Sequence, residues 1–289
     1  VYIGAVNGGV WRTTNFQAPN PHWEALTDEQ ASLAISVLAF KPGSSSTIYA
    51  GTGNFSNGAR AGGEAVGLLV STDGGTTWAN KGNTELGGLA VTGIAHTGAT
   101  VSSPVLLVAT QNGKGGEPGG IWKSMDGGET FTLLSKNKTL GLGQILPTGE
   151  ASDLIALNPE DPANQTFFAA IPGKGIYKTT NGGTSWTKVT TSALVSSTST
   201  RIRLAASPDG TTIYAGVIEG DAGSARLSKL IRSTTSGDSG TWEALDGLPD
   251  NPVLKDNRTE ATFNGVKTIH PLGQAHNNFS IVVDPTDFT

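Results

Sequence analysis

The sequence predicts an all-β protein: a β-propeller of four-stranded antiparallel blades, about five of them in 289 residues. Three observations carry that prediction. A short glycine-paired motif recurs at a near-constant interval, the composition suits strands and tight turns, and each interval divides into four short apolar runs.

The motif reads Ser-Thr-Asp-Gly-Gly-Thr-Thr-Trp at 71–78, Ser-Met-Asp-Gly-Gly-Glu-Thr-Phe at 124–131 and Thr-Thr-Asn-Gly-Gly-Thr-Ser-Trp at 179–186. Looser copies end at Trp23, after an insert around Pro19 and Pro21, and at Trp242, with two extra residues. From Trp23 through Trp78, Phe131 and Trp186 to Trp242 the steps are 55, 53, 55 and 56 residues. A period of that size marks a propeller or a solenoid. In each copy Asp73, Asp126 or Asn181 is placed to bond backbone N–H groups one or two residues on, the glycine pair supplies positive φ, and the aromatic resumes a strand. The motif is therefore a hairpin turn with an aromatic anchor.

Forty glycines and only 15% charged residues fit short strands, and no window of about 10 to 15 residues shows an amphipathic helical stripe. Almost no helix is expected.

Taken in order, the second repeat reads as strands at 33–40, 46–52, 67–71 and 77–81, and the third at 90–96, 104–110, 120–124 and 130–134. The fourth gives 152–158, 166–171, 175–179 and 185–189, and the fifth 201–207, 212–217, 229–233 and 241–245. Pro42, Pro159 and Pro208 break the chain at the first hairpin of their repeats, where proline and glycine belong. At the ends, 1–4 reads as a second strand without a first, and 279–284 as a first strand without a second. Set head to tail they make one repeat. Either they meet and close a five-bladed ring, hiding the edges, or the chain is cut from a longer propeller. The resulting blades are 277–289 with 1–26, then 33–82, 90–134, 151–189 and 200–245, in a single domain with a long loop at 246–276.

The motif resembles the Asp-box of sialidase-type BNR repeats, Ser-x-Asp-x-Gly-x-Thr-Trp, found in a broad group that includes sortilin-like and xyloglucanase-like propellers. Ser71, Asp73, Gly75, Thr77 and Trp78 match it fully; Ser124, Asp126, Gly128 and Thr130 match with Phe131 in the tryptophan place; Asn181, Gly183 and Trp186 keep its core. In those families the box is structural, so the resemblance implies a fold and, since such proteins are commonly exported, a secreted or cell-surface bacterial protein. It does not assign chemistry.

The function classes narrow by residue type. A net charge of −5 with scattered Lys and Arg gives no basic field for nucleic acid. There is no apolar run of about 20 residues for membrane insertion and no cysteine for a disulfide or thiolate metal site. The resemblance brings sialidase to mind, but Tyr2, Tyr49, Tyr177 and Tyr214 read as packing and no Arg-Ile-Pro motif is present. Xyloglucan-cleaving relatives carry an Asp two residues before the first Gly-Gly; here that place holds Val6, followed by Asn7, and neither can act as a general base. The six tryptophans all take structural positions, which leaves no spare platform for stacking a sugar.

The remaining candidates sit on the loops opposite the motif, which is where propellers place ligand sites. They are Arg60 and Glu64 in 52–66, Glu117 in 111–119, Asp221 and Arg226 in 219–226, and Arg258 in the long loop. No metal spacing joins the four histidines, and no cofactor is expected. Glu219 and Asp221 offer oxygens to calcium, although two carboxylates are fewer than a dedicated site requires. The sequence favours a non-catalytic binding or scaffold propeller that presents this face to a protein or glycan ligand. The alternative is a glycoside hydrolase whose acid and base come from Glu64, Glu117 or Asp221.

Overall fold

The structure, a computed structural model, describes residues 1–53, 63–111, 118–136, 146–159, 161–220, 225–245 and 280–283. The first sheet runs β1 (Tyr2–Ala5), β2 (Gly9–Arg12) and β3 (Glu24–Ala25). The second runs β4 (Ile35–Phe40), β5 (Ile48–Thr52), β6 (Leu68–Ser71) and β7 (Ala79–Lys81), and the short helix α1 (Asn83–Leu86) follows it. The third is β8 (Val91–His96), β9 (Leu106–Thr110), β10 (Gly120–Ser124) and β11 (Thr132–Leu133). The fourth is β12 (Asp153–Ala156), β13 (Phe167–Ile171), β14 (Gly175–Thr179) and β15 (Thr187–Lys188); the fifth is β16 (Ser199–Ala206), β17 (Ile213–Glu219), β18 (Arg226–Ser233) and β19 (Glu243–Ala244).

Each sheet is an antiparallel meander in chain order, so the molecule is a β-propeller of about five blades. Four sheets have four strands and the first has three. Of the first strand expected for it at 279–284, the described part, 280–283, forms no strand, and among the described residues β1 pairs with β2 alone. Most boundaries fall within two residues of expectation. The fifth blade departs most, with β18 starting three residues before the expected 229 and pairing with β17 across an irregularity at 217/218.

The core lies between blades, not inside them. Alternation along β13 sends Phe167 into a cluster with Leu107, Ile121 and Trp186 of the third and fourth blades, and Phe168 into one with Ile202, Ile213 and Trp242 of the fourth and fifth. Both rings are fully buried, worth roughly 1.5–3 kcal/mol each. Tyr49, Leu68 and Phe131 fill the second junction, and Leu26, Leu69 and Trp78 the first. In every junction the aromatic that closes a turn packs against the preceding blade.

The turns follow the pattern the residues predict, with one correction. Ser71 Oγ donates to Asp73 Oδ1 at 2.8 Å and accepts the Gly75 amide at 2.8 Å. Asp73 then reaches Thr77, four residues on and not one or two, accepting its amide at 2.9 Å and its hydroxyl at 2.6 Å. Ser124, Asp126, Gly128 and Thr130 repeat this set; Thr179, Asn181, Gly183 and Ser185 repeat it with one bond reversed, Asn181 Nδ2 donating to Ser185 Oγ at 2.9 Å. The correction has a physical reason: the serine hydroxyl occupies the nearer amide, leaving the carboxylate the farther one.

Candidate functional site

The amides of Gly74, Gly182 and Ser236 donate to Ser46, Gln165 and Thr211 at 2.9, 3.0 and 2.7 Å. Each bond joins the last turn of a blade to its first hairpin, so both lie on one face of the disk. The loops between second and third strands, and those leading into each inner strand, therefore emerge on the opposite face.

There the inner strands begin, and a hydroxyl ties each to the next. Ser36 donates to the Val91 carbonyl at 2.6 Å, Thr92 to Ala151 at 2.6 Å, and Ser152 to Ile202 at 3.0 Å while accepting the Ile202 amide at 3.0 Å. Beside this last tie sits a buried ionic cluster. Asp153 accepts the Leu154 amide at 2.9 Å through Oδ1 and the Leu204 amide at 2.8 Å through Oδ2; Arg203 stands 3.7 Å from Oδ1 and donates to the Ser152 carbonyl at 3.2 Å. Arg201, on the same side of β16, is buried. Burial raises the Asp153 pKa against the pull of Arg203 and the two amides, and burial beside Arg203 brings Arg201 down to about 9. This is a joint between the fourth and fifth blades.

Nearby, Glu219 accepts the Ser196 hydroxyl through Oε1 and the Ser228 hydroxyl through Oε2 at 2.9 Å. Burial opposes its ionisation, but these two hydroxyls, with Lys229 and Arg226, hold its pKa below the ordinary value. Arg226 stands opposite Glu219 on the ladder. Glu64 is exposed, with no hydrogen bond or ion pair among the described residues. It belongs to the second blade, whereas Arg226 opens β18 of the fifth. Arg60, Glu117, Asp221 and Arg258 lie outside the described residues. Among the described residues no group of three or more His, Asp or Glu side chains gathers, and no helix is long and apolar enough to cross a membrane.

At the far ends of the inner strands, on the side of the glycine-pair turns, lies a cavity of about 610 Å³ lined by Phe40, Ile94, His96, Leu204, Ile281 and Val283. It is mostly apolar. His96 is buried, bonded to the Thr97 carbonyl at 2.7 Å and stacked on Tyr49, and burial lowers its pKa.

Sequence reasoning missed Asp153, Arg201 and Arg203 as a cluster, and the hydroxyl series Ser36, Thr92 and Ser152. The hydroxyl series had a signal, since the three recur near the start of successive inner strands.

The class defined by these blades and ties is a β-propeller, and comparison with solved structures agrees. The fold is similar to that of an ancestral GH74 enzyme (TM-score 0.59, 20% identity, 85% of this chain and 29% of that one). It is similar to the GH74 enzyme of Niastella koreensis (0.57, 22%, 84% and 35%) and to the GH74 xyloglucanase of Xanthomonas campestris (0.53, 18%, 86% and 36%). This chain thus spans about a third of those proteins, and the likeness concerns fold. No protein-family model and no curated protein matches the chain.

Proposed function

We propose that the chain is an Asp-box propeller, exported or displayed at the cell surface, that binds a protein or glycan on the face opposite its glycine-pair turns and does no chemistry there. The observation carrying this reading is the state of Asp153. Among the described residues it is a carboxylate at the start of an inner strand on that face, and two backbone amides and Arg203 already occupy it. A carboxylate so engaged holds blades together and is poorly placed to move a proton to a substrate. The hydrolase alternative draws its support from the likeness to GH74 enzymes.

A binding and turnover assay with xyloglucan oligosaccharides and other plant and microbial glycans separates the two. The expected result is saturable binding to a glycan, or to a protein partner, without new reducing ends. Release of reducing ends that disappears in Glu64→Gln, Glu117→Gln or Asp221→Asn would establish the hydrolase instead.

A further inference from the structure

Asparagine followed by glycine occurs at 7–8, 57–58, 112–113, 181–182 and 264–265, and the first and fourth of these pairs lie among the described residues. In such a pair the glycine nitrogen can attack the asparagine side-chain amide, because glycine has no Cβ to hinder the ring that forms. A folded chain allows the attack only where neither group is held elsewhere.

The two described pairs differ in this respect. Asn181 is held at both ends of its amide: Oδ1 accepts the Thr179 hydroxyl and the Ser185 amide, each at 2.9 Å, and Nδ2 donates to Ser185 Oγ at 2.9 Å. The amide of Gly182 donates to the Gln165 carbonyl of the first hairpin at 3.0 Å. Ring closure there would break all four bonds.

Asn7 is exposed, and among the described residues its side chain makes no hydrogen bond. It sits in the hairpin between β1 and β2, where pairing of Ala5 with Gly9 leaves Val6, Asn7 and Gly8 as the loop. The Gly8 amide has one acceptor, the Ala5 carbonyl, at 3.5 Å, the weak limit of such a bond. This hairpin joins the strands equivalent to β5 and β6, so it lies on the face opposite the glycine-pair turns. There the Gly9 amide reaches the Leu33 carbonyl at 2.8 Å, ahead of β4.

We propose that Asn7 is a self-modification site, converted in the folded protein to aspartate and isoaspartate by its own Gly8. The Gly8 nitrogen gives up its proton and bonds to Asn7 Cγ; the Cγ–Nδ2 bond breaks and ammonia leaves, closing a cyclic imide. One water then opens the ring. Attack at Cγ leaves aspartate, and attack at the backbone carbonyl leaves isoaspartate, with one more carbon in the main chain of a three-residue loop. Either product adds a negative charge to the proposed ligand face. The inference stands whatever that face binds.

The test incubates the full chain, folded and in urea, in mildly alkaline buffer, and follows the tryptic peptides 1–12 and 179–188 by mass. Each contains one asparagine. In the folded chain 1–12 is expected to gain about 1 Da, with release of ammonia, at least about tenfold faster than 179–188. An isoaspartyl methyltransferase is expected to label part of the product. In urea the two peptides are expected to convert at comparable rates. An unchanged mass for 1–12 in the folded chain, or equal rates there, would overturn the proposal. So would a difference that persists in urea, because neighbouring residues and not the fold would then set it.

Discussion

Asp73 is solvent-exposed yet fully engaged, and its titration reports directly on the turn. The Thr77 hydroxyl and amide, then Ser71, hold its carboxyl down to about 2. A carboxylate depressed in the folded state contributes stability above its ordinary pKa of about 4, lost as pH falls through the depressed value. The carboxyl carbon of Asp73 is therefore expected to titrate in NMR with a midpoint near 2, and Thr77→Val to move it upward. A midpoint near that of a free aspartate would mean the turn is not closed as described. These turn residues were legible in the sequence because every partner lies within eight positions. Asp153 was not, because what makes it structural is the Leu204 amide of the next blade, 51 residues away. Nothing local distinguishes its carboxylate from a solvated one, so reasoning from loops put the candidates elsewhere.

Among elements, the turn between third and fourth strands separates two uses of glycine. Gly74 has φ +73°, and a Cβ added there would meet only the Tyr2 hydroxyl, at 3.6 Å, whereas Gly75 has φ +90° and lies against Leu26. The fifth blade draws the same distinction, keeping Gly237 but accepting Ser236 at φ 52° in the first place. Gly74→Asn is expected to cost less than about 1 kcal/mol, since Asn tolerates this conformation. Gly75→Ala combines strain with a clash and is expected to cost more than about 2 kcal/mol. Urea unfolding of the two variants measures the difference, and equal costs would contradict the close packing of blades at this point. Strand order and nearly all boundaries were readable from turn residues and apolar runs. The early start of β18 was not, because what makes 226–228 a strand is pairing with residues 217–219 of β17, across an irregularity that no turn residue marks.

For the whole molecule, the period of the aromatics predicted the architecture, while the hydroxyl ties between inner strands and the bonds from Arg12 and Lys178 to the next blade's turn appear only when blades are set side by side. The account rests on successive blades being equivalent units joined at equivalent points. Native-state hydrogen exchange of the Gly75, Gly128, Gly183 and Gly237 amides, each donated to a Ser or Thr hydroxyl at the head of its turn, tests this most directly. The prediction is that all four are protected, with rates within about tenfold of one another. Exchange of any one of them at the rate of an exposed loop amide would contradict the equivalence of the blades.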